Sequence, residues 1–133
     1  MITAVADTHA AIWYLSGDTR LSGAARSAIE SAVQNGNQIA ISSISLVEMV
    51  YLIEKGRIPA GRFTQLASEL NDPESVFVEI VVDLRIARAL SAVDGRQIPD
   101  MPDRIIAATA LALDIPVISR DSKISMSTLT TIW

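Results

Sequence analysis

Short apolar, β-branched runs alternate with longer helix-patterned stretches along the whole chain. That alternation restricts the fold more than any other feature of the sequence. Ile2-Thr-Ala-Val-Ala6, Ile39 to Ser42, Val76 to Val82 and Pro116 to Ser119 read as strands, with Thr130 to Trp133 as a fifth at an edge. A first helix carries Ile12, Trp13 and Leu15 and stops near Gly17. Ser22 caps a second, with Ala25, Ile29 and Val33 on one face and Asn35-Gly36 at its end. A third starts at Ser45-Leu-Val-Glu48, turns Leu46, Val50 and Ile53 inward and ends near Gly56. Pro59 precedes a shorter helix with Phe63, Leu66 and Leu70. Leu84 to Val93 and Asp103 to Leu113 read as helices, joined by a loop from Asp94 to Pro102. Strand–helix alternation at this spacing predicts an α/β fold. We expect a single domain, residues 1–133, built on an open, mostly parallel sheet of four to five strands with helices on both faces.

A chain of 133 residues, half of them hydrophobic, is large enough to bury a core without covalent staples and too apolar to be disordered. The absence of cysteine excludes disulfides, thiolate zinc sites and thiol nucleophiles, and it suits a reducing cytoplasm. No basic start with a long apolar core marks a signal peptide, and the most apolar run, Ile105 to Leu113, is too short to span a bilayer. The expectation is a soluble cytoplasmic protein with no membrane partner. A net charge of −4 argues at first sight against a nucleic-acid ligand. The objection weakens once acids of a candidate site are set apart from the rest.

Those acids are Asp7, Glu48, Asp103 and Asp121. Asp7 closes the first strand, Asp121 follows the fourth, Glu48 lies one helical turn past the second, and Asp103 opens the helix to Leu113. In a parallel α/β sheet the carboxyl ends of the strands share one edge, where ligands bind. Carboxylates gathered there repel one another unless a cation holds them, which points to a hard divalent metal and metal-assisted chemistry. Without these four acids, the remaining charges balance against the 11 Lys and Arg. Each acid also has a plainer reading. Asp7 suits a helix cap, Glu48 stands at capping-box spacing from Ser45, Asp100 and Asp103 flank Pro102 at a helix start, and Asp121 suits a turn.

Two other functions stay open on the residues alone. One is a non-catalytic α/β binding module whose acids are only caps. The other is a phosphotransferase forming an aspartyl-phosphate on Asp7, against which His9 stands where such sites place a second Asp. His9 is the sole histidine, so zinc and serine-triad sites have little support, and no Gly-rich phosphate loop is present. The aromatic residues Trp13, Tyr14, Tyr51 and Trp133 read as core rather than as base-stacking platforms. Arg104 and Arg120 flank two of the acids and either contact phosphates or balance charge. Ser119 is placed to orient an acid or a water.

The segments Asp7-Thr-His with Trp13, Ile44-Ser-Leu-Val-Glu48, Lys55-Gly-Arg-Ile58, Asp100-Met-Pro-Asp103-Arg-Ile-Ile-Ala-Ala-Thr-Ala110 and Val117-Ile-Ser-Arg-Asp121 resemble the PIN domain. Their order and spacing are similar to those of the ribonuclease toxins of toxin–antitoxin pairs, the VapC group, over essentially the whole chain. The departures are Met101-Pro102 and Ser119, and neither removes a carboxylate. The resemblance implies a metal-dependent endoribonuclease in which Asp7, Glu48, Asp103 and Asp121 hold Mg or Mn and a metal-activated water hydrolyses RNA. It implies as partners an RNA substrate and a cognate antitoxin that lays an apolar segment into a groove between helices, for which the Val47, Val50 and Tyr51 side is the candidate surface. Homodimerisation is a further implication of the family.

Overall fold

A computed structural model describes residues 1–133. Five parallel strands form one sheet: β1 (Ile2–Ala6), β2 (Gln38–Ser42), β3 (Phe77–Ile80), β4 (Val117–Ile118) and β5 (Thr131–Ile132), in the spatial order β3-β2-β1-β4-β5. Seven helices connect and cover them: α1 (Thr8–Ser16), α2 (Gly23–Gln34), α3 (Ser43–Glu54), α4 (Gly61–Asn71), α5 (Leu84–Leu90), α6 (Met101–Leu113) and α7 (Ser122–Ser125). The expected α/β architecture is therefore the observed one, with five strands. No helix is long and apolar enough to cross a membrane.

Strand alternation sorts the sheet side chains into two cores. Ala4, Ala6, Ile39, Ile41 and Ile118 face α1, α2 and α4, while Val5, Ala40 and Val117 face α5 and α6. Both faces are covered, which is the condition under which a parallel sheet is stable. On the second face α6 presents Ala107, Ala108 and Ala110, all fully buried, so the helix backbone lies close on the sheet.

Several boundaries differ from the sequence reading. Ser42, not Ser45, caps α3, its Oγ accepting from the Ile44 amide at 3.2 Å. The helix starts earlier, which removes the capping box and shifts the buried face by one position. Ser45, Met49 and Leu52 are buried, Leu46 and Ile53 are half-buried, and Val50 is exposed. In α2 the buried face likewise ends on Ala32, leaving Val33 exposed. β3 stops at Ile80 because only Phe77 to Ile80 find partners on β2; Val81 and Val82 run on into solvent. α5 ends at Leu90, where the Arg104 guanidinium takes the Leu90 and Val93 carbonyls at 3.2 and 3.1 Å. α6 begins at Met101 with Asp100 as its cap, so Asp103 stands in the first turn rather than opening the helix.

These corrections carry a stability contrast. Ile41→Ala opens a void in a fully buried position and should cost about 2–5 kcal/mol in a urea melt. Val50→Ala, on the exposed side of α3, should change stability by less than about 0.5 kcal/mol. Comparable losses in the two variants would contradict this register of α3.

Candidate active site

The order of strands reverses direction at β1, between β2 and β4, and this switch point is where open α/β sheets bind ligands. Asp7 leaves β1 there and caps α1, its Oδ1 accepting from the Ala10 amide at 2.8 Å. Asp121 leaves β4 and caps α7, its Oδ1 accepting from the Lys123 and Ile124 amides at 2.8 and 3.3 Å. In both residues a cap bond occupies Oδ1, and at Asp7 the buried Ser119 hydroxyl also acts on the carboxylate. The cap reading and the ligand reading are thus compatible at the same side chain. Glu48, in the second turn of α3, and Asp103, in the first turn of α6, make no side-chain hydrogen bond. A buried bond from Thr8 Oγ1 to Ser45 Oγ, 2.9 Å, ties α1 to α3 and fixes Glu48 relative to Asp7.

All four acids line one open cavity of about 450 Å³. Asp100 joins them as a fifth carboxylate, and His9, Trp13, Arg20 and Arg120 complete the wall. Arg20 was not marked by the sequence. It reaches the cavity because Gly17 ends α1 in the left-handed conformation, φ 65°, and turns the chain back over Trp13. Both Arg20 and Arg120 hold their guanidinium carbons over the Trp13 ring, 4.9 and 4.7 Å from its centre. Arg104, by contrast, is committed to the carbonyls behind α5 and is not part of the wall. Trp13 is core, as its helical position suggested, and its buried ring also forms cavity wall.

Burial raises the Asp103 carboxyl to about 7, with Asp121, Asp100, Glu48 and Asp7 adding repulsion in that order. Burial also lifts Asp7 above the ordinary carboxylate range, with Glu48 assisting, against the opposing pull of Ser119, the Ala10 amide and His9. Like-charge repulsion thus acts on both carboxyls and comes from four neighbours at Asp103, which carries a proton through the acid range up to about neutral pH. As the side chains stand, no three of these acids and His9 form a set that could hold a metal ion. The donor chemistry nevertheless fits a hard divalent cation, since every carboxylate in the wall offers oxygen and no soft ligand is present. Glu48 and Asp103, free of hydrogen bonds, are the carboxylates able to rotate.

A profile of the PIN domain matches residues 4–126. The chain belongs to the PIN-domain family. It is 28% identical over 124 residues to Ribonuclease VapC22 of Mycobacterium tuberculosis (strain ATCC 25618 / H37Rv), covering 93% of this chain and 91% of that protein. Its fold is similar to that of VapBC2 from Rickettsia felis bound to a DNA fragment from their promoter, with a TM-score of 0.69 at 20% identity and coverage of 98% and 97% of the two chains. A toxin–antitoxin complex from Klebsiella pneumoniae is similar to this PIN domain with a TM-score of 0.66, 27% identity and the same coverage.

The Asp103 carboxyl makes a signed prediction for the metal-free protein. Its folded pKa of about 7 lies above the unfolded value of 3.8, so the folded state binds the extra proton between those limits. Stability from this group is full below about pH 4, falls as pH rises toward 7 and stays lost above it. Asp103→Asn should therefore raise the melting temperature in EDTA at pH 7.5 or so, with the gain shrinking toward pH 4. Thermal melts across that range check it. A constant loss at every pH would mean that Asp103 supports α6 only as a helix-terminal charge.

Proposed function

We propose that this PIN domain is a metal-dependent endoribonuclease, the toxin of a toxin–antitoxin pair, and that Asp7, Glu48, Asp103 and Asp121 are its catalytic and metal-binding residues. The observation that carries the reading is that acids from four separate elements, distant in sequence, line a single cavity at the switch point of the sheet. The similarity to a ribonuclease over nearly the full length of both chains supports the reaction class.

Bound among these oxygens, Mg or Mn would supply Lewis-acid polarisation of the phosphate and a low-pKa water. The chain's own residues do the rest. Asp7 and Asp121 are held in place because backbone amides bond one oxygen of each, and both residues line the cavity. Asp103 must give up its proton to become a ligand, so metal affinity rises as pH passes through about 7. Ser119, buried beneath Asp7, accepts from the Asp121 amide at 3.0 Å and links the two cap acids. Arg120, which has no ion pair, offers positive charge at the rim, where an incoming phosphodiester meets the acidic wall.

Purified protein should cleave single-stranded RNA only with added Mg or Mn. Asp103→Asn should lower the rate by more than about a hundredfold, since loss of even an outer supporting group costs about 10–100-fold. Undiminished cleavage in excess chelator would overturn the metal assignment. The capping bonds of Asp7, Asp100 and Asp121 favour a second reading, a binding module without catalysis, which predicts no RNA cleavage under any metal condition.

We also infer a cognate antitoxin as partner, in a cytoplasmic setting that suits a cysteine-free chain. The structural relatives include toxin–antitoxin complexes. Val47, Val50 and Tyr51 form an exposed apolar stripe at helical spacing on α3, one face of the helix that carries Glu48. Val47→Lys with Tyr51→Glu should leave RNA cleavage intact while making the enzyme insensitive to the product of a short adjacent reading frame. Retained inhibition would move the antitoxin contact elsewhere.

A further inference from the structure

The acidic cavity shares a wall with a second cleft. His9, Trp13 and Arg20 line both, and on the far side of that wall a space of about 270 Å³ is bordered by Arg57 and Arg62 around Ile58 and Pro59. The turn after α3 and the start of α4 thus bring two further arginines beside the site. The one carboxylate in this cleft, Asp18, is already engaged. Arg20 donates Nη2 and Nε to it at 2.7 and 3.1 Å, and these bonds hold the Asp18 carboxyl down at about 2. The ion pairs of the molecule are Arg20–Asp18 and Arg96–Asp94, so Arg57 and Arg62 have no carboxylate partner. Neither makes a side-chain hydrogen bond, and Arg57 is exposed.

We propose that this cleft is the track for the RNA strand as it leaves the acidic cavity, with Arg57 and Arg62 on phosphates outside the scissile one. The proposal rests on the ribonuclease reading and adds the residues that bind and align the substrate. Its argument is charge complementarity in a chain of net charge −4. A polyanion approaching five carboxylates needs compensating cations next to them, and Arg57 and Arg62, outside any ion pair, border the cleft that shares a wall with the cavity. Arginine suits the task because its planar fork bonds phosphate oxygens in pairs. Trp13 contributes by stacking: Arg120 lies over its ring, so it loses less freedom when it meets a phosphate.

The test measures binding apart from cleavage. In an Asp103→Asn background, a short fluorescent single-stranded RNA is titrated against the parent, against Arg57→Ala/Arg62→Ala, and against Arg88→Ala on the remote helix α5 as control. The double variant should bind about tenfold more weakly at low salt. Its slope of log affinity on log salt should fall by roughly 1.4, about 0.7 for each single-strand phosphate that the protein no longer neutralises. Arg88→Ala should match the parent. In the otherwise wild-type enzyme, Arg57→Ala/Arg62→Ala should raise KM and spare kcat, with an unchanged melting temperature. Affinity and salt slope equal to the parent's, with the wild-type protein cleaving RNA normally, would overturn the track and leave the ribonuclease intact. A cleft that instead holds an acidic segment of a protein partner would give that same result. A wild-type protein that cleaves no RNA under any metal condition would remove the ribonuclease reading and the track together.

Discussion

Covering a parallel sheet on both faces is the constraint from which the rest of this molecule follows. Val5 and Ala6 on β1, and Ala40 and Ile41 on β2, have no exposed surface. The middles of such strands are apolar, so charged chemistry is displaced to the positions just beyond them. Because all five strands are parallel, those positions fall on one edge, and the helices that return the chain begin there. A residue at the junction must end a strand and start a helix, and aspartate does both: Asp7 after β1 and Asp121 after β4 accept backbone amides of the helices that follow. The acidic edge is a by-product of helix initiation before it is a site.

Concentrating carboxylates in this way has an energetic cost that the protein does not spread evenly. Asp7 has fixed donors that favour its charged form, but its burial outweighs them. Asp103 has none, lies partly buried, and faces four other acids, so it too is held above the ordinary carboxylate range. The cationic side chains do not relieve this by direct pairing. Arg20 spends its charge on Asp18, and Arg120 stacks on Trp13. The cavity thus keeps separate acidic and basic walls instead of collapsing into salt bridges, an arrangement suited to binding a cation and an anion at once.

How far the sequence revealed this site depended on how locally each residue's position is determined. Asp7 and Asp121 were legible because each follows an apolar strand directly, with nothing between to shift it. Glu48 was assigned to the right helix but the wrong phase. Ser42, Ser43 and Ser45 are all competent to cap, and the choice of Ser42 is made by where β2 stops pairing with β3. Asp100 and Asp103 flank Pro102, and periodicity alone does not say which begins the helix; the structure gives the cap to Asp100 and turns both toward the cavity. Arg20 carried no sequence signal. Its place depends on the left-handed turn at Gly17 and on contact with a ring seven residues earlier, and neither is visible in a pattern of residue types. The same limit explains Arg104, which flanks a site acid in sequence yet points away to hold the end of α5.

Trp13 has an optical consequence as well. The chain contains two tryptophans, Trp13 and Trp133, and their rings lie 5.9 Å apart. His9 stacks near the first at 5.5 Å, and the two cavity arginines sit over it. The protein's indole emission therefore comes from one ring in the cavity wall and a second packed directly against it. Any occupant that draws Arg20 or Arg120 off the Trp13 ring alters that signal, so the native chain carries its own reporter of what enters the cavity.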